Sequence, residues 1–128
     1  MKNGLMLLFL TVALFACQPQ EQELVTMPWE GKWNLVYNSH GWAGGETYSK
    51  GAVIWTIHAN HDVDVDMNVV LFNVYLPING SGTYNCPINN GTITVGAVDY
   101  NFSVNNNGKL YMTENQGNYP RSYIFERD

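Results

Sequence analysis

The side chains whose types and spacing could do chemistry begin at His58. His58-Ala59-Asn60-His61-Asp62 sets a His-x-x-His pair beside a carboxylate, a donor set that suits zinc if the loop folds the three together. Asp62-Val63-Asp64-Val65-Asp66 continues from it. On a β-strand these three carboxylates share one face at a spacing of about 6.6–6.8 Å, while Val63, Val65 and Met67 take the other. That is the pattern of a half-buried strand with one solvated face. The run also begins like a calcium loop, but the glycine and the closing glutamate are missing: Met67 and Asn73 stand in their places. A surface turn carrying two imidazoles, followed by a solvated carboxylate row, is therefore expected, and His58, His61, Asp62 and Asp64 are the candidate metal ligands.

Nucleophilic chemistry has less to stand on. Gly-x-Ser-x-Gly is absent, and Ser81 in Gly80-Ser81-Gly82 reads as part of a hairpin. No glycine-rich loop leads from a strand into a helix. The expectation is a protein that binds, with no catalytic set and no cofactor. Its formal charge is −5, from 6 basic and 11 acidic residues, and no stretch gathers the Lys and Arg that a phosphate backbone requires, so nucleic acid is excluded as a partner.

The amino terminus reads as an address. Lys2 is followed by an almost unbroken apolar run from Leu5 to Ala16 that stops at Cys17. As a helix this run covers roughly 18 Å, short of the roughly 30 Å hydrocarbon core, so it suits a signal peptide and not a spanning helix. Leu14-Phe15-Ala16-Cys17 resembles the bacterial lipobox. That resemblance implies cleavage before Cys17 once its sulfur carries a diacylglyceryl group, and hence a membrane partner reached through the lipid. Residues 1–16 are then a lipoprotein signal peptide, and 17–28 are the lipidated cysteine with a flexible polar tether. Glu21 and Glu23 resemble the acidic export signals of Bacteroidetes surface lipoproteins, which implies an outer-membrane or cell-surface location. With Cys17 alkylated, Cys86 has no disulfide partner, and it reads either as a reactive thiol or as a small buried hydrophobe.

From Trp29 onward no segment keeps a helical apolar stripe, whereas alternation recurs every dozen residues or so. The expected strands are 33–38, 51–58, 63–69, 82–86, 92–95, 98–104, 109–114 and 122–127. Turn chemistry separates them at Ala59-Asn60-His61-Asp62, Asn79-Gly80, Asn89-Asn90-Gly91, Asn105-Asn106-Asn107-Gly108 and Gln116-Gly117-Asn118. An all-β, eight-stranded antiparallel up-and-down barrel over residues 29–128 follows, with a two-sheet sandwich as the alternative. Residues 70–76 are apolar on both parities. They either continue the third strand through a bulge at Asn73 or form an apolar loop at one mouth of the barrel.

Gly31-Lys32-Trp33 opens the first strand and Arg127 ends the last. Further blocks join them: Trp29 to Val36, Gly41-Trp42-Ala43-Gly44-Gly45, Tyr48 to Thr56, Ser81-Gly82-Thr83-Tyr84 and Tyr123-Ile124-Phe125-Glu126-Arg127. Together these resemble the small lipocalin-like lipoproteins of Bacteroidetes. The resemblance implies a barrel whose floor is closed by Arg127 lying over Trp33, with a ligand mouth at the opposite end near Trp42, Gly44, Gly45, Phe72 and Tyr75. It implies a lipid-anchored envelope protein that binds a small hydrophobic molecule. The many aromatic residues could instead fill the barrel, leaving a protein-interaction or inhibitor module whose partner is an envelope protein.

Overall fold

The computed structural model describes residues 27–41, 44–70 and 76–128. The expected signal peptide, Cys17 and nearly all of the tether lie outside these residues, as do Trp42, Phe72 and Tyr75. The described chain is all-β and antiparallel, and it contains no α-helix; no helix there is long and apolar enough to cross a membrane.

Among the described residues ten strands form where eight were expected: β1 (Gly31–Ser39), β2 (Gly45–Thr47), β3 (Val53–Ile57), β4 (Asp62–Met67), β5 (Gly82–Asn85), β6 (Ile88–Asn89), β7 (Thr92–Val95), β8 (Val98–Val104), β9 (Lys109–Glu114) and β10 (Ser122–Arg127). The last four strands have the bounds that alternation and turn chemistry set. The two additional ones have separate causes. Gly45–Thr47 is exposed throughout and carries no alternation, yet it pairs with Tyr37–Ser39 of β1. The expected strand 82–86 breaks at Cys86-Pro87, where proline has no N–H to give the ladder, and pairing resumes at Ile88. The expected strand 63–69 ends at Met67, and both readings of 70–76 fall largely on residues outside the description.

All ten strands belong to one sheet, so the two-sheet alternative does not hold. The order is β5-β4-β3-β1-β10-β9-β8-β7-β6, with β2 beside the second half of β1. The two ends of this order, β5 and β6, are separated in the chain only by Cys86 and Pro87. Cys86 N–H donates to the His61 carbonyl and Thr94 N–H donates to the Pro87 carbonyl, so the link is bonded to both flanks. The sheet therefore curls into a barrel-like form. One tight corner illustrates how: Asn90 and Gly91 have φ of 49° and 75°, the paired positive values of a turn whose twist matches its strands, and they join β6 to β7.

The interior follows from parity. Trp33 and Leu35 of β1, Val53, Trp55 and Ile57 of β3, Val63 and Val65 of β4, Leu110 and Met112 of β9, and Tyr123 and Phe125 of β10 are all buried. Each large apolar side chain removed from water contributes about 1.5–3 kcal/mol, and no disulfide assists them. Burial, and not cross-linking, holds this fold. Carboxylates of β4 alternate outward as expected, since Asp64 and Asp66 are exposed while Val63 and Val65 are buried.

Candidate functional site

The two ends of the barrel differ in chemistry. At one end Trp33 lies between Trp55 and Arg127 in register, and the Arg127 guanidinium carbon sits 4.2 Å from the centre of the Trp33 ring. A strap at residues 27–30 crosses beneath. Trp33 Nε1 donates to the Trp29 carbonyl at 2.9 Å, Arg127 Nη1 donates to the Glu30 carbonyl at 2.5 Å, and Arg127 Nη2 donates to the Pro28 carbonyl. The arginine thus stacks and caps loop carbonyls at once, which its flat multi-donor head allows and a lysine would not. Gly31 makes room for it: its φ is +117°, and a β-carbon there would stand 2.8 Å from Arg127 Nη1. This end is closed.

The metal candidates do not converge. His58 Nε2 meets Asp64 Oδ2 at 2.7 Å, and Thr83 Oγ1 donates to Asp64 Oδ1 at 2.6 Å. Those two hydrogen bonds, Thr83 first and His58 second, hold the Asp64 carboxyl below its usual range. Asp62 instead accepts from Asn60 and Asn85 at 3.1 Å each. His61 turns the other way, with Nδ1 accepting from Ile88 N–H at 3.3 Å and its ring edge-on to Trp29 at 5.6 Å. Among the described residues no three His, Cys, Asp or Glu side chains gather as a metal would require. The separation of His61 from the others has a local cause. His61 takes a positive φ of 72° in the hairpin, which points its ring at the floor and away from His58. His58, Asp62, Asp64 and Thr83 line a shallow, open surface depression.

Cys86 is fully buried, and burial first, then Asp62, pushes its thiol up to about 11. It packs as a small hydrophobe.

The opposite end gathers side chains that sequence reasoning passed over. The β1–β10 ladder slips between Leu35 and Tyr37, so Val36 is an extra residue and the parity of β1 reverses beyond it. Asn38 then stands opposite Tyr123, on the face that Trp33 and Leu35 occupy below, and both Asn38 and Tyr123 are buried. Neither the Nδ2 nor the Oδ1 of Asn38 has a hydrogen-bond partner. Leaving such a group desolvated and unpaired costs about 1–3 kcal/mol, a burden a purely structural position would shed by becoming apolar.

Phenols surround this amide. The Tyr100 and Tyr123 rings meet edge to face at 6.0 Å. Burial, the largest influence on each, pushes the hydroxyls of Tyr48, Tyr100 and Tyr123 up from their ordinary values, so all three are neutral near pH 7. Tyr48 donates to Glu46 at 3.2 Å, and the Asn38 amide lies near enough to favour the Tyr48 phenolate without making a hydrogen bond of normal geometry to it. The rim carries His40 beside Glu46 at 3.7 Å and Arg121 beside Glu114 at 3.9 Å.

Of the expected mouth residues, only Gly44 and Gly45 are described. His40 N–H donates to the Gly44 carbonyl at 2.7 Å, closing the turn that carries the chain into β2. Gly45 lies against β1, where a β-carbon would collide with the Tyr37 hydroxyl and the Asn38 carbonyl. Close packing requires glycine at this position.

Comparison with protein-family models, with curated proteins and with solved structures finds no match to this chain.

Proposed function

We propose that this chain is a lipid-anchored, lipocalin-like binding protein of the cell envelope, at the outer membrane or cell surface, that takes a small hydrophobic molecule at the end of its barrel opposite Arg127. The asymmetry of the two ends carries the reading. One end is shut by a stacked cation and a strap of capped carbonyls, and the other holds a buried, unpaired amide among neutral phenols. A domain that only needed to be stable would fill both ends with apolar side chains.

The strand connections support the lipocalin-like part of the proposal. Taking β5 and β6 as one strand bent at Pro87, and β2 as an accessory to β1, leaves eight members whose neighbours follow chain order around a ring. Such an up-and-down barrel offers one interior and two mouths. The lipid anchor rests on the Leu14-Phe15-Ala16-Cys17 sequence alone.

Two measurements test this. Thermal melts of the purified protein with 1-octanol, octanamide and octanoate are expected to show a higher Tm with at least one of them, because a ligand at 100 times its Kd adds about 2.7 kcal/mol to stability. Unmoved melts with all three overturn the binding role. In a bacterial host, fatty-acid labelling is expected to tag the wild-type chain and to miss Cys17→Ser; a labelled C17S chain overturns the anchor.

A second reading has an observation of its own. Val70 is 79% exposed and Tyr119 is 64% exposed, and Val69 and Val98 join them at the same end of the barrel. An apolar rim of this kind suits a surface that docks an envelope protein, with the barrel interior filled.

A further inference from the structure

We infer that Asn38 is the specificity-determining residue of the open end, and that the ligand it reads is a neutral, largely apolar molecule presenting a hydrogen-bond donor and acceptor side by side, as a primary carboxamide or a lactam does. This rests on the small-molecule reading above and narrows it.

The first support is geometric. The slip at Val36 carries the amide into the barrel interior, where it is fully buried, and Tyr123 and then Met112 stand next to it across the ladders of β10 and β9. Leu35 and Phe125 form the next layer toward the floor. The surroundings are therefore uncharged: apolar side chains and the neutral phenols of Tyr48 and Tyr123. Asn34, the other buried asparagine, provides a contrast within the same strand. On the outer face its Oδ1 accepts from Gly51 N–H at 3.0 Å and its Nδ2 donates to Asp128 at 3.3 Å. One asparagine of β1 has its hydrogen bonds and a structural task; the other has neither.

The second support is chemical. An asparagine side chain carries a carbonyl acceptor and an NH₂ donor in one plane, so its natural complement is another amide edge, which pairs with both atoms at once whichever way the side chain is turned. Charge argues the same way. Asn34 and Asn38 are the buried polar side chains among the described residues, and no ionised group is buried beside Asn38. An anion or cation brought to this depth would be desolvated without a counter-charge, a larger loss than one amide can recover.

The test uses three probes of one chain length: octanamide, N,N-dimethyloctanamide, which has no donor, and octanoate, which is charged. With the isotope-labelled wild-type protein, octanamide is expected to shift the side-chain NH₂ resonances of Asn38 and to bind at least about tenfold more tightly than either of the others. Asn38→Leu keeps the branching of the side chain and removes its polar atoms, and is expected to bring octanamide and its dimethyl analogue to within about twofold of each other, while apolar binding persists. Equal affinities in the wild type, or octanamide binding that leaves the Asn38 resonances unmoved, overturn this inference and leave the small-molecule reading standing. Absence of binding by all three probes removes both. The wild-type resonances decide the matter even if N38L folds poorly.

Discussion

Arg127 lies across the face of Trp33, its guanidinium carbon 4.2 Å from the ring centre, while two of its nitrogens donate to carbonyls of the strap that runs beneath. The residue that ends the last strand thus holds a residue near the start of the first, and the strap, the indole and the arginine form one unit.

Trp33→Ala is accordingly expected to destabilise the protein by about 3–5 kcal/mol, as truncation of a fully buried aromatic does. Arg127→Ala should cost less. Because the two share an interface, a double-mutant cycle followed by urea unfolding should give a coupling energy of about 0.5–2 kcal/mol. Additive losses would remove the stacking from the account of the floor.

Gly31→Ala combines two penalties, a positive φ of 117° and a β-carbon 2.8 Å from Arg127 Nη1. A loss of about 1–3 kcal/mol is expected from the melting temperature. Placing G31A in the Arg127→Ala background should recover the steric part and leave the backbone part. A G31A protein as stable as wild type would show that the floor adjusts freely.

Asn38→Leu should raise stability by about 1 kcal/mol or leave it unchanged, because it replaces an unpaired buried amide by an apolar group of the same branching. Stability gained together with loss of amide discrimination is the signature of a position kept polar for binding. A clear loss of stability in N38L would mean that the amide supports the fold itself.

Alkaline pH should unfold the protein through its buried acids. Cys86 is raised from 9.0 to about 11, and Tyr123 is raised as well, burial being the first cause for each. A group raised in the folded state binds its proton more tightly there than when unfolded, so its stabilising contribution is whole below the unfolded pKa and is lost as pH climbs through the folded value. For Cys86 that window is pH 9.0 to about 11. Urea midpoints are expected to fall across it, and to fall less steeply in Cys86→Ala. In the native protein the thiol should resist a thiol reagent at pH 8 and react only on unfolding; rapid native labelling would contradict its burial.

The acid limb has the opposite sign. Asp64 is lowered from 3.8 by its hydrogen bonds from Thr83 and His58, so its contribution is present above the ordinary carboxylate range and disappears as pH falls through the lowered folded value. Asp64→Asn should flatten the acid end of the stability profile, measured by urea midpoints between pH 5 and pH 2. Because the group is exposed, the change should be small and should shrink further with added salt.

Much of this architecture was legible along the chain. The strands at 92–95, 98–104, 109–114 and 122–127 follow from alternation between turn residues, because a side-chain period of two is a local property that each strand displays by itself. The Asn90-Gly91 corner is likewise local, since those two residues accept the positive φ it needs. The pairing of Trp33 with Arg127 came only from the family resemblance, since no local pattern links the two ends of the chain. Gly45–Thr47 was not legible, for its three exposed residues have no pattern and become a strand only because β1 offers them an edge.

The end opposite Arg127 was the least legible part. Val36-Tyr37-Asn38 continues the alternation begun at Trp33 only if no residue is extra, and on that reading Tyr37 faces inward and Asn38 faces water. The partner strand decides otherwise: β10 keeps its own parity, β1 absorbs one additional residue at Val36, and the amide turns into the core. His58, His61, Asp62 and Asp64 show the same division, being neighbours in sequence of which the hairpin turns His61 away from the depression that the other three line. Sequence alone determined which stretches would extend and where they would turn, because those preferences reside in residues one to four positions apart. Which side chains came to face one another was decided by the ladders between distant strands, since a slip of a single residue exchanges the two faces of everything beyond it.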